Sequence, residues 1–303
     1  MRTNVTRGGI AAAVAAATST AALASTGPLA EWNLIVRTNL TSSSEVDGSA
    51  IVGGNLAGTS NYAVQGVTAS GNVGLAVGGS ITSGNIQVNN GGNVRLQGSN
   101  AGTLNLNGGG VLVSDPAVTA QVASIFAQME AASAYLATLT PNGTVDGAGN
   151  MSASPVLLGG QNVAVYTISA AAIQSLGQLN LNFGAADSVI INVLSDGGVV
   201  DLVAPPNIIG GFNQSNSSRI LWNMPDATSL LVNNSFNGAV IAPFANLVLS
   251  GGGMNGAVAV NSISAQDAEI RRFTYDGYFE IPAPSGAALL GLGAVAAGRR
   301  RRR

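Results

Sequence analysis

The sequence predicts a mainly β fold, a right-handed parallel β-helix (β-solenoid) with one long α-helix packed alongside. Three observations carry this: short β-type runs bounded by Gly and Asn, recurrence of those runs at near-constant offsets, and a single helix-period seam that interrupts them. The runs include Ala50-Ile51-Val52, Leu75-Ala76-Val77, Val94-Arg95-Leu96, Thr103-Leu104-Asn105-Leu106 and Val189-Ile190-Ile191-Asn192-Val193. Apolar runs this short, between turn residues, suit strands.

The runs recur. Val52-Gly53-Gly54-Asn55 returns as Val77-Gly78-Gly79-Ser80 after 25 residues, and Phe236-Asn237-Gly238-Ala239-Val240 returns as Met254-Asn255-Gly256-Ala257-Val258 after 18. The same offset of 18 aligns Leu230-Leu231 with Val248-Leu249. One coil of a β-helix needs a repeat of this size. A β-sandwich is the alternative for a turn-rich chain, and the repeats favour the solenoid.

The interruption begins at Ser114-Asp115-Pro116, which reads as a capped helix start with Pro in the first turn. Val118, Val122, Ile125, Met129, Ala132, Leu136 and Leu139 then form one apolar stripe, and Pro141-Asn142-Gly143 ends it. The expected helix covers about 115–140 and lays this stripe along the side of the solenoid.

The two ends read as addresses. Residues 1–30 form a secretory signal peptide: Arg2 and Arg7, an apolar run over 10–17, then Ala22-Leu23-Ala24, with a second cleavage point after Ala30. Residues 281–303 place Pro282, Ala283 and Pro284 before an apolar stretch, then Arg299, Arg300, Arg301, Arg302 and Arg303. The 13 residues of 286–298 reach only about 20 Å as a helix, against a hydrocarbon core of about 30 Å. A short apolar stretch with a terminal Arg cluster suits a sorting signal that contacts the membrane transiently, a plain membrane anchor being the alternative. The body between them, 31–280, is one domain.

Composition narrows the function. There is no His or Cys, and every one of the twelve basic residues is Arg. Within the body five arginines face fourteen acids, a net charge of −9, which excludes nucleic acid as a partner. The usual acid–base, thiol and Schiff-base groups are missing, so no enzyme, catalytic residue or cofactor is expected. The acids Asp146, Asp187, Asp196 and Asp201 are scattered singly, as solvated carboxylates are. Asp267, Glu269, Arg271 and Arg272 read as a polar end cap. Glu45-Val46-Asp47-Gly48 and Ser195-Asp196-Gly197-Gly198 are acidic turns, and no metal site is expected at either.

The most distinctive stretch is Arg219-Ile220-Leu221-Trp222-Asn223-Met224-Pro225-Asp226, followed by Phe236-Asn237-Gly238-Ala239-Val240-Ile241-Ala242-Pro243. Trp222 is expected to be buried, and Asp226 to make a corner turn after Pro225. With Trp32-Asn33-Leu34-Ile35-Val36 and the Ser-rich turn of 41–48, the body resembles the choice-of-anchor A family of bacterial surface domains over nearly all of 31–280. Trp222, Asn223, Pro225 and Asp226 are the motif residues of that resemblance. The tail resembles the PEP-CTERM sorting signal, with Ala283 where that signal has Glu. The resemblances imply an adhesive or matrix-associated surface protein sorted by an exosortase-type membrane enzyme, exported to the cell surface or extracellular matrix, with exopolysaccharide or another surface polymer as partner. Ice binding on a similar architecture is the rival, and needs ranks of Thr, Ser or Ala on a flat face. No rank of Thr recurs at the 18-residue offset. Polysaccharide cleavage is the third reading.

Overall fold

The computed structural model describes residues 27–281. Pro282, Ala283, Pro284, Arg299 to Arg303 and most of the expected signal peptide lie outside the described residues. The strands fall into sheets of 15, 7 and 4 strands, and pair in parallel almost throughout. The strand Leu34–Val36, first among the described residues, sits in the middle of the largest sheet. On one side it pairs with Ala50–Val52, and the ladder continues through Val73–Val77 and Asn93–Leu96 to Leu112–Ser114. On the other side it pairs with Val258–Gln266, near the end of the described chain. From there the ladder runs back through Ala239–Leu249, Ile220–Asn223 and Ser188–Leu194 to Gln161–Ser169. The two halves of the chain therefore share one ladder with no free edge at their join.

The seven-stranded sheet repeats this order. Thr103–Leu106, Asn85–Val88, Ser60–Tyr62 and Glu45–Val46 come from the first half, and Ile270–Arg271, Met254–Asn255 and Phe236–Asn237 from the second. The join is Ile270 opposite Val46. Glycines make the close approaches at the turns. Gly84 has φ +92°, and a Cβ there would lie 1.7 Å from the carbonyl oxygen of Gly58, itself at φ +98°.

An α-helix spans Val118–Thr138 and carries the chain from one end of the large sheet to the other. Its 21 residues extend about 31 Å, enough to cross about six strands at 4.8 Å each. Val118, Val122, Ile125, Met129, Ala132 and Leu136 are buried, and Leu139 is half-buried. They pack on Ile35, Ile51, Ala76, Ile190, Leu221, Ile241 and Ala259, outward residues of seven successive strands. The opposite face of those strands, with Leu34, Val36, Val52, Val77, Val189, Val240 and Val258, faces the main core.

Three expectations are corrected. The helix begins at Val118, and its N-cap Ala117 makes no side-chain cap bond. The chain is still in the ladder at Asp115, whose N–H donates to Leu96 O at 3.0 Å. The Asp115 carboxylate instead accepts the Ala117 N–H at 2.8 Å and the Arg95 guanidinium at 2.6 Å. Those two donors, the Ala117 N–H foremost, hold its pKa below the ordinary carboxylate value. Second, Leu230 pairs with Leu247 and Leu231 with Val248, one residue short of the expected alignment. The 18-residue register of Trp222 with Val240 is lost at the intervening corner, and the shift keeps buried Leu230 beside buried Leu247. Third, the Asp267–Arg272 cluster is no end cap, because Ile270–Arg271 pairs on both sides in mid-sheet.

Candidate adhesive faces

The distinctive Trp222 motif lies inside the molecule. Trp222 is 1% exposed, and its ring stacks on Phe212 at 5.2 Å and tilts against Phe236 at 4.7 Å. Its indole N–H donates to Asn237 O at 2.9 Å, so the large apolar side chain is buried with its one polar atom satisfied. Asn223 points the other way, under the helix. Its amide donates to Ser133 O at 2.9 Å and to Asn192 Oδ1 at 2.8 Å, and it accepts from Ser133 Oγ at 2.6 Å. Asn192 in turn donates to Leu136 O at 2.9 Å. This buried network ties the last turns of the helix to two adjacent strands, in a place where an unpaired amide would be costly. Pro225 is half-buried, and exposed Asp226 accepts the Ser195 N–H at 3.1 Å at the neighbouring corner. The four residues thus dock the helix and shape a corner.

The scattered acids also serve turns. Asp146 accepts the Ala148 and Asn150 N–H groups at 2.9 and 2.8 Å, and the Asn150 side chain foremost lowers its pKa. Asp187 accepts the Asn162 N–H at 2.8 Å, and Asp201 the Val203 N–H at 2.9 Å. Beside the helix, a cleft of about 350 Å³ is lined by Arg37, Val122 and Phe126, with Arg37 paired to Glu130 and set 4.6 Å from the Phe126 ring centroid.

Outside the helix, beside the amide-bearing outer face of the four-stranded sheet, where Asn180 donates to Asn150 Oδ1 at 3.3 Å, two longer faces are uncovered. On the first, Leu40–Ser42 pairs with both Val258–Gln266 and Leu56–Ala57, and bridges from Leu56 to Ile81 and from Ile81 to Asn100 extend the ladder. Inward it presents Leu40, Leu56, Ile81, Ile263, Leu247 and Leu230, all buried. Outward, one row runs Ala101, Thr82, Ala57, Thr41, Ala265, Val248, Leu231, each exposed or half-buried. It crosses five strands and the two bridged segments at Ile81 and Asn100, roughly 29 Å, without a charge until Asp201.

A parallel row of corner residues braces this face. Asn39 Oδ1 accepts the Asn55 N–H at 2.8 Å, Asn55 Oδ1 accepts the Ser80 N–H at 2.8 Å, and Ser80 Oγ accepts the Ser99 N–H at 3.0 Å. The spacings of these neighbours are 16, 25 and 19 residues. An 18-residue search could not find the row they define. The inward Leu40, Leu56 and Ile81, each followed by Thr or Ala, are the sequence signal that marks it.

The second uncovered face is the outside of the seven-stranded sheet. Its outward residues include Asn105, Gln87 and Asn61 in register, then Glu45, with Arg271, Asn255 and Asn237 in the other half. Asn255 donates to Asn237 Oδ1 at 2.9 Å, and Arg271 to Asn255 Oδ1 at 3.3 Å. These amides satisfy one another, and charges interrupt the face at the join.

No helix among the described residues is long and apolar enough to cross a membrane. No curated protein matches the chain. Among solved structures it is similar to an ice-binding protein from an Antarctic ascomycete, Antarctomyces psychrotrophicus, at 15% identity, covering 83% of this chain and 98% of that one with a TM-score of 0.38. The family model described as "Putative Ice-binding-like adhesive domain" matches residues 25–272, most of the chain. The chain belongs to this ice-binding-like adhesive domain family.

Proposed function

We propose that the protein is a non-enzymatic adhesive module, exported and sorted to the cell surface, that holds an extracellular polysaccharide or similar polymer along the uncharged row from Ala101 to Leu231. In this reading the three sheets close around their common core as a right-handed parallel β-solenoid, with the helix as a cover on one side. The observation that carries it is the contrast between faces. One is sealed by the helix, one is broken by charges, and one carries a row of uncharged side chains about 29 Å long. Membership of an adhesive-domain family supports the same reading.

The ends complete the proposal. Leu29 is 1% exposed and packs with Trp32 and Phe279, so cleavage after Ala24 preserves contacts that cleavage after Ala30 would remove. At the other end Pro282, Ala283, Pro284 and Arg299 to Arg303 would present the tail to an exosortase-type enzyme at the membrane.

The full chain is tested for retention on polysaccharide-coated beads and for partition into a growing ice front. Retention on the beads with exclusion from ice is the expected result. Incorporation into ice without bead retention would replace polymer adhesion with ice binding, and neither would overturn both.

A further inference from the structure

We infer that the join between the two halves of the chain carries a calcium site formed by Glu45, Asp47 and Glu269. Their carboxylate oxygens lie within 4.8 Å of one another, although Glu269 is more than two hundred positions from the other two. Backbone pairing of Ile270 with Val46 brings them together.

The partners of each carboxylate point to a missing ligand. Glu45 Oε1 accepts from the Asn61 amide at 3.2 Å, and Glu269 Oε2 from Arg271 at 2.9 Å. Asp47 Oδ2 accepts the Arg272 N–H at 3.1 Å. One oxygen of each carboxylate therefore has no protein donor among the described residues. For Asp47 this matters most. The residue is 6% exposed, and its Oδ1 is buried with no hydrogen-bond partner. A buried carboxylate oxygen without a partner is among the costlier arrangements a protein can hold. Arg271 offsets one of three negative charges, and a divalent cation offsets the remaining two.

The ligand class follows from the donors. Three carboxylates without His or Cys select a hard cation. Side chains from separate strands, partly open to water, suit the larger and more flexible calcium shell better than the strict octahedron of magnesium. Bound there, calcium would staple strands from opposite ends of the chain. An affinity of about 10⁻⁴ to 10⁻³ M, usual for extracellular modules, would make the staple respond to calcium outside the cell. This site stands independently of the adhesive reading.

The test titrates calcium chloride into chelator-treated full chain, followed by calorimetry and thermal unfolding. The expected result is one saturable site and a higher melting temperature, with magnesium chloride giving at least tenfold weaker binding. Asp47→Asn should weaken calcium binding at least tenfold. Should that variant fail to fold, Glu269→Gln, which alters a half-exposed side chain, should do the same, while Asp146→Asn should bind as the unaltered chain does. Absence of saturable binding at millimolar calcium, or unchanged binding in Glu269→Gln, would overturn the site.

Discussion

The face beneath the helix and the uncovered Thr/Ala row use the same parallel pairing, yet their outward residues differ in kind. Under the helix stand Ile35, Ile51, Ile190, Leu221 and Ile241, with Ala76 and Ala259 between them, all fully buried. On the open row stand Ala101, Thr82, Ala57, Thr41 and Ala265, with Val248 and Leu231 at its far end, all in contact with solvent. The backbone ladder does not decide which face is covered. The outward side chains do, by the apolar area they offer a helix. A row left uncharged and open to solvent, small from Ala101 to Ala265 and bulkier at Val248 and Leu231, suits a flat partner.

The largest expected effect lies under the helix. Ile51→Ala should destabilise the chain by about 2–5 kcal/mol in urea unfolding, through lost transfer energy and a cavity beneath the helix. A cost near zero would show that the helix is not seated on that face. Asn223→Ala comes next, at about 1–3 kcal/mol, because Ser133 Oγ and Asn192 Oδ1 would lose their buried partner. A double-mutant cycle with Asn192 should show coupling between the two, and strict additivity would argue against one network.

A smaller effect, of opposite sign, is expected at Tyr166 in the main core. Its hydroxyl is buried without a partner, and burial pushes its pKa up to about 12. Tyr166→Phe should therefore leave stability unchanged or raise it by about 1 kcal/mol. The unfolded phenol ionises near 10 while the folded one keeps its proton, so stability falls as pH rises from about 10 towards 12. The Phe variant should fall less steeply. Some slope should persist, because burial also raises Tyr62, Tyr275 and Tyr278. An identical alkaline slope in both proteins would remove Tyr166 from the account.

Much of this was readable in the sequence because it is local. Val52 and Val77, read as one repeat, are paired neighbours, and the 18-residue match of 236–240 with 254–258 is a true register. The burial of Trp222 followed from its apolar neighbours. What escaped is set by closure. No local pattern announces that Leu34–Val36 pairs with Val258–Gln266, or that Glu45 meets Glu269. The Thr/Ala row was hidden because its spacings of 16, 25 and 19 residues vary with corner length, while the ladder holds its strands in register. The motif residues Asn223 and Asp226 were distinctive because they join the helix and a corner to the ladder.

The most direct measurement compares two arginine substitutions in the bead-retention assay. Thr82→Arg places a charge within the uncovered row, beside Ala57 and Ala101, and Gln87→Arg places one on the amide face, both at solvent-contacting positions. Each should alter folding stability by no more than about 0.5 kcal/mol. Retention should weaken at least tenfold for Thr82→Arg and stay unchanged for Gln87→Arg. Full retention by Thr82→Arg, with loss in Gln87→Arg, would contradict this and move the contact to the amide face.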